Sequence, residues 1–368
     1  MIEFHNLETV ERMESMADIK VGVIGCGSVA MEAHIPGYQK VPGVEIAALC
    51  DIDFARAKKA TERFGVGHVY SDYKEMFAKH GLDIVSVATP PSAHAEATIA
   101  ALEAGVHVLC EKPMAMNPAE AERMIAAARK AGKLLTIGQD FRCWEGSRLL
   151  KRMIDRGDLG HVYYGRAVCS GKTVLHGRDI LLRREYAGGG ILFCTAVHPI
   201  DLVYWLMGSP DAETVSAMTY QRAHRMKKPP LVWNRSAAEM DVEDFVSGLV
   251  RFRNGAAMMV EAYWFSDREQ QAPFVELKGD RGTAVFDRGT SSLEVWAENE
   301  EGEIVDVSPE GLPTFDDTAL VGVEIAEFIE AVRTGGQPHV SAREALNVQR
   351  ILNGINESGA IGKEIEIR

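Results

Sequence analysis

The chain has 368 residues, a length that suits two ordinary domains with cores large enough to fold without staples. Apolar residues make up 46% and charged residues 25%, the balance of a globular protein. With 53 acidic against 40 basic residues the net charge is −13, which excludes a general nucleic-acid binder, because such a protein needs a basic surface to neutralise phosphates.

Residues 1–17 are charged (Glu3, Glu8, Glu11, Arg12, Glu14), lack an apolar signal core, and are expected as an N-terminal extension. No apolar run reaches the length of a membrane span, so no membrane partner is expected. The six cysteines (Cys26, Cys50, Cys110, Cys143, Cys169, Cys194) show no C-x-x-C pair and no zinc spacing. No metal is therefore expected, and a reduced, cytoplasmic location is.

Strands are predicted at Lys20–Ile24, Val44–Cys50, Asp83–Ala88, Val106–Cys110 and Leu134–Ile137, rich in Val, Ile and Ala without polar alternation, as in strands buried on both faces. Helical patterns lie between them at Val29–Lys40, Phe54–Phe64, Tyr73–His80, His94–Ala104 and Pro118–Ala131, with Gly105 and Gly132 as C-terminal caps. This alternation predicts a doubly wound parallel α/β sheet over residues 18–141.

Past Phe141 the pattern changes. A helix (Ser147–Arg156), a strand (Val162–Cys169) and a Gly188-Gly189-Gly190 turn lead into an apolar helix, Ile191–Met207. Strand segments follow at Thr214–Gln221, Phe245–Arg253, Ala256–Phe265, Phe274–Lys278, Thr283–Asp287 and Leu293–Ala297. Turns at Asn254-Gly255 and Asp280-Arg281-Gly282 mark an antiparallel sheet. Ala223–Asn234 reads as an exposed loop, and helices near Ala319–Arg333 and Ala342–Glu357 close the chain. Residues 142–368 are thus expected as an α+β domain with a large open, mostly antiparallel sheet.

The first strand runs into Gly25-Cys26-Gly27-Ser28-Val29-Ala30, a G-x-G-x-x-A between strand and helix. Gly25 permits the tight turn, Gly27 lets the backbone approach a pyrophosphate, and Ala30 lets helix and strand pack closely. The N–H groups opening the helix face the phosphates. Asp51, at the end of the second strand and followed by Ile52, can bond both ribose hydroxyls and repel a 2′-phosphate, so NAD is favoured over NADP. Arg56 lies within reach of such a phosphate. Thr89-Pro90-Pro91 is a loop at the carboxyl edge of the sheet, where ligands bind in such folds, and His94 opens the next helix either as a cap or as a cofactor contact. Glu111-Lys112-Pro113 follows the next strand at the same edge, where the Lys112 ammonium can stabilise an alkoxide as hydride leaves.

Together these features resemble the glucose–fructose oxidoreductase/inositol dehydrogenase (Gfo/Idh/MocA) family. The resemblance rests on Gly25-x-Gly27-x-x-Ala30, Asp51, Thr89-Pro90-Pro91-x-x-His94, Glu111-Lys112-Pro113, Gly188-Gly189-Gly190, His198, Asp201, Trp205-Leu206-x-Gly208, Glu243-Asp244-Phe245 and Phe252-Arg253-Asn254-Gly255. It implies a two-domain, NAD(P)-dependent oxidoreductase acting on sugars, inositols or related polyols, with Lys112 catalytic and a homodimer or homotetramer formed through the second sheet.

One departure stands out. Relatives commonly carry Asp-x-Gly-x-His after the glycine turn, whereas this chain has Cys194-Thr195-Ala196-Val197-His198. On a regular helix Cys194, His198 and Asp201 share one face. His198 is the expected general base. Cys194 reads as a small packing residue, a redox or nucleophilic thiol, or with His198 and Asp201 a metal ligand of poor geometry. Arg142, Tyr163, Arg178, Tyr186 and Trp233 are candidate sugar contacts, with structural packing or ion pairing as the alternative for each. Two further readings remain beside the dehydrogenase: a non-catalytic dinucleotide or sugar sensor, and a glycoside-processing enzyme that uses bound NAD transiently.

Overall fold

The computed structural model describes residues 19–170, 179–227, 231–232, 235–236, 240–265 and 274–367. The expected extension 1–17 and the candidates Arg178 and Trp233 lie outside them.

The first sheet consists of β1 (Ile19–Ile24), β2 (Val44–Cys50), β3 (Val69–Tyr70), β4 (Ile84–Val87), β5 (His107–Cys110) and β6 (Leu135–Ile137). Their order is β3-β2-β1-β4-β5-β6 and every pairing is parallel. The order reverses between β1 and β4, which opens a crevice at their carboxyl ends. All four residues of β4 and all three of β6 are buried, as their apolar composition requires of strands covered on both faces. The helix after β1 begins with a π turn, Ala30–His34, before the α-helical Ile35–Gln39.

The second sheet has nine strands in the order β16-β15-β14-β13-β7-β12-β11-β8-β17. They are β7 (Val162–Ser170), β8 (Ala212–Tyr220), β11 (Phe245–Phe252), β12 (Ala257–Tyr263), β13 (Val275–Gly279), β14 (Gly282–Asp287), β15 (Ser292–Glu298), β16 (Ile304–Asp306) and β17 (Ile365–Glu366). β7 pairs parallel with β12, and the other pairings are antiparallel. Burial alternates along β11 and β12, so one face packs on helices and the other stays open. Part of the stretch expected as a loop is a small hairpin, β9 (Leu231–Val232) with β10 (Arg235–Ser236), preceded by a 3₁₀ turn at Ala223–Arg225.

Two features depart from the expected division at residue 141. The helix Asp317–Thr334 lends Val321, Ile325, Phe328 and Ile329 to the core of the first sheet, beside Val21, Val23 and Leu49. The helix Ala342–Ile361 lends Ala345 and Leu346 to one core and Val348, Ile351, Leu352 and Ile355 to the other. The chain thus returns to its first half and joins the two cores. By length and composition alone Arg184–Leu206 could cross a membrane, contrary to the sequence expectation; the glycine turn at 188–190 interrupts it, and from Ile191 to Leu206 its apolar residues pack in the second core.

Candidate active site

Gly25 has φ +90°, and a Cβ there would meet the Ala88 carbonyl at 2.5 Å. Only glycine fits where the turn after β1 touches the end of β4. At Gly27, by contrast, a Cβ would project into open space, on the side where a pyrophosphate would approach. Ala30 is fully buried, as close packing of helix on strand requires. The Asp51 carboxylate accepts from Cys26 N at 2.8 Å and Asp53 N at 2.9 Å, and Arg56 Nη1 lies 3.4 Å from it. Beside it Ile52 is 95% exposed. Thr89 Oγ1, just past the end of β4, is buried without a hydrogen-bond partner among the described residues. These residues fit a dinucleotide: Gly25, Gly27, Ser28, Val29 and Ala30 would cradle its phosphates, Asp51 its ribose, and Thr89 and Pro90 the floor of the crevice.

His94 is fully buried, with Nδ1 2.8 Å from the Pro113 carbonyl and Nε2 2.8 Å from the Thr89 carbonyl. It does not face the crevice. It ties the Thr89 loop to the Glu111-Lys112-Pro113 turn, so its part is to hold two cofactor loops together.

Lys112 reaches across to the second half, where Nζ donates to the Cys194 carbonyl at 2.8 Å. The preceding Glu111 accepts from Lys112 N with one oxygen, at 3.2 Å, and meets His34 Nε2 at 2.9 Å with the other. Burial works against its charge, but the bond to His34 and the positive fields of His34, Lys112 and His198 hold its pKa at about 2.

The glycine turn is explained by Glu243. A Cβ on Gly190 would lie 1.9 Å from the Glu243 carbonyl, and Gly190 N donates to Glu243 Oε1 at 2.6 Å. The turn can therefore seat the following helix against β11. That helix opens with a π turn, Leu192–Ala196, before the α-helical Val197–Leu206. The wider turn shifts the phase, so the single face expected for Cys194, His198 and Asp201 is not kept.

The His198 side chain is 14% exposed and stacked on Phe141, with ring centroids 4.5 Å apart. Its Nδ1 lies 3.0 Å from Asp140 Oδ1. Asp201 is held elsewhere. Fully buried, it takes a bidentate pair of 2.7 Å bonds from Arg142, which also reaches Glu344 at 3.2 Å. Burial disfavours the Arg142 charge, but the two carboxylates raise its pKa above the ordinary value. Of the readings open for the candidates Arg142 and Asp201, a site contact or a structural partner, the structure shows the second: they form a sealed ion pair. They are residue types that sites favour, but tertiary packing turns them toward each other.

Cys194 is half-buried, and its backbone carbonyl, not its thiol, holds Lys112. The other five cysteines are buried, and burial pushes the Cys26, Cys50 and Cys169 thiols up to about 12. Tyr186 is 39% exposed on a short helix, Arg184–Ala187, that packs against the Pro91–Ala93 turn. Tyr163 is 47% exposed near the start of β7, six residues or about 20 Å along the strand from Cys169. Asp140 and Phe141 escape sequence reasoning, since nothing local marks an acid and an aromatic after a strand as partners of a distant histidine.

Comparison with known proteins agrees with this geometry. Residues 19–139 match the model of the oxidoreductase family with an NAD-binding Rossmann fold, and residues 147–285 match the GFO/IDH/MocA C-terminal domain. The chain is 28% identical over 351 residues to D-glucoside 3-dehydrogenase of Escherichia coli, covering 95% of this chain and 97% of that one. It is 26% identical to D-apiose dehydrogenase of Paraburkholderia graminis over 95% of this chain and 90% of that one. The structure of levoglucosan dehydrogenase in complex with NADH and levoglucosan superposes with a TM-score of 0.82 at 24% identity, over 95% and 99% of the two chains.

Proposed function

Because this chain belongs to the Gfo/Idh/MocA family, and its relatives include D-glucoside 3-dehydrogenase and D-apiose dehydrogenase, we propose that it oxidises a secondary hydroxyl of a glycoside, free sugar or inositol-like polyol, with NAD⁺ as the hydride acceptor. One observation carries this reading. The bond from Lys112 Nζ to the Cys194 carbonyl brings the lysine of the first half to the helix that bears His198, at the edge where the dinucleotide turn opens. NAD⁺, held by the Gly25–Ala30 turn and Asp51, would supply the hydride acceptor for the substrate carbon. His198 takes the hydroxyl proton and passes it to solvent. The Lys112 ammonium, held in place by the carbonyl, stabilises the negative charge that grows on the substrate oxygen. Tyr186 borders the same crevice and supplies a stacking face for the sugar.

We further propose a cytoplasmic homo-oligomer assembled through the open sheet. Met218, Tyr220 and Met259 are exposed on that face, and the pairing register places Phe245, Leu249 and Tyr263 beside them.

The test is NADH formation across a panel of glycosides, monosaccharides, inositols and sugar acids, beside Lys112→Ala. Turnover on at least one member is expected, falling by roughly 10²- to 10⁴-fold in the variant while NADH still binds. NADH binding without turnover on any member would favour a sensor.

A further inference from the structure

The base of the proposed reaction depends on how one imidazole is held. His198 comes from the second half of the chain, and two neighbouring residues of the first half grip it. Both sit on the turn Asp140–Cys143, just beyond β6. Phe141 covers one face of the ring, with centroids 4.5 Å apart and planes 21° from parallel. Asp140 meets its edge, Oδ1 lying 3.0 Å from Nδ1.

Asp140 is 5% exposed. Its Oδ1 and the Nδ1 of His198 are both buried, and among the described residues neither has a hydrogen-bond partner. At 3.0 Å the two atoms are in ion-pair contact without the alignment of a hydrogen bond, and the cost of leaving a buried carboxylate and a buried imidazole nitrogen unpaired favours their pairing.

The remaining charged groups around the ring have other duties. Asp201, on the same helix, is bound to Arg142. Lys112 is held by the Cys194 carbonyl, and Glu111 by His34 and the backbone. Arg288 lies over the far ring, Phe141, at 5.9 Å. Glu324 gives one oxygen to Gln139 N, and burial raises its pKa well above the usual carboxylate range. Cys194, one turn before His198, has no carboxylate to offer.

We propose that Asp140 is the positioning carboxylate of His198. It fixes the proton on Nδ1, keeps Nε2 as the acceptor for the substrate hydroxyl, and supplies the counter-charge when the ring takes that proton. No bond to Asp140 forms or breaks. Since carboxylate and histidine come from different halves of the chain, the base is complete only where the two halves dock.

This inference rests on His198 being the base, and the experiment separates the two. Imidazole ¹⁵N spectra of the protein without substrate, assigned with His198→Gln, report the tautomer directly. A neutral ring protonated on Nδ1 is expected, becoming a mixture of tautomers in Asp140→Ala. In turnover, Asp140→Asn is expected to lower kcat about 10²-fold and leave NADH affinity unchanged, with the acidic limb of kcat/KM moving to lower pH. A native ring protonated on Nε2 would overturn the proposal, as would Asp140→Asn with kcat within about twofold of native. If no substrate is turned over but the Nδ1 proton is present and depends on Asp140, the dehydrogenase reading fails and the positioning contact stands.

Discussion

His34 Nε2 lies 2.9 Å from Glu111 Oε1 in the interior of the first domain, and the other ring nitrogen of His34 meets Ser86 Oγ at 3.0 Å. Ser86 in turn bonds Tyr38 at 2.8 Å. This chain runs from the helix after β1 to the residue before Lys112, so that helix and the Glu111-Lys112-Pro113 turn share one buried network. Its energetic signature follows from Glu111, held at about 2 against an ordinary 4.5. A carboxyl whose folded pKa is depressed adds stability that is present above its unfolded pKa and lost as pH falls toward the folded value. Native protein should lose about 3 kcal/mol between pH ~4.5 and ~2 from this group alone. Urea denaturation at several pH values should show that slope flattened in Glu111→Gln. An equal slope in both proteins would mean that His34 does not favour the ionised form.

Glu324 should behave in the opposite sense. It is 3% exposed, and burial, with Asp140 and Glu111 nearby, raises its pKa well above 4.5. The unfolded chain ionises this group first, so its contribution is complete below the unfolded pKa and declines as pH rises toward the folded one. Glu324→Gln keeps the acceptor for Gln139 N and removes the acid. The variant is expected to gain thermal stability relative to native at pH 8 and little at pH 4. Identical differences at both pH values would show that the carboxyl does not titrate on unfolding.

The Arg142–Asp201 pair predicts a non-additive mutational cycle. Both side chains are fully buried and joined by two 2.7 Å bonds. Removing one partner leaves an uncompensated charge in the core, which costs about 3–5 kcal/mol. Arg142→Met and Asp201→Leu should each destabilise by that order, and the double variant by much less than their sum. Additive losses, measured by denaturation, would show that the two residues do not act as a unit.

The architecture of the first domain is legible in the sequence because its signals are local. Uninterrupted Val/Ile/Ala runs mark strands buried on both faces, and Gly25, Gly27 and Asp51 carry their reasons within a few residues. β3, β16 and β17 have two or three residues each and are too short for any periodicity to show. The amphipathy of Asp317–Thr334 announces a buried face but not which sheet receives it. The site divides in the same way. Lys112 follows a readable strand end, and the glycine turn before His198 is conspicuous. Asp140 gains its meaning from a histidine on the far side of a domain junction. Arg142 and Asp201 look like site residues by type until packing turns them toward each other.

Cofactor choice should be decided by Asp51 and Arg56 together. Two backbone N–H groups pin the Asp51 carboxylate at the end of β2, and Arg56 Nη1 sits 3.4 Å from it with its side chain 53% exposed. While Asp51 is present, the arginine is neutralised and a 2′-phosphate meets a fixed negative charge, so NAD⁺ is the expected coenzyme. In Asp51→Ser the repulsion goes and the guanidinium is released toward that phosphate. A charged hydrogen bond is worth about 1.5–3 kcal/mol, so the ratio of kcat/KM for NAD⁺ over NADP⁺ should fall roughly 10- to 100-fold. Arg56→Ala should leave native NAD⁺ kinetics nearly unchanged and abolish the NADP⁺ gain in the Asp51→Ser background. If the gain survives without Arg56, relief of repulsion accounts for the whole effect and the arginine has no part in it.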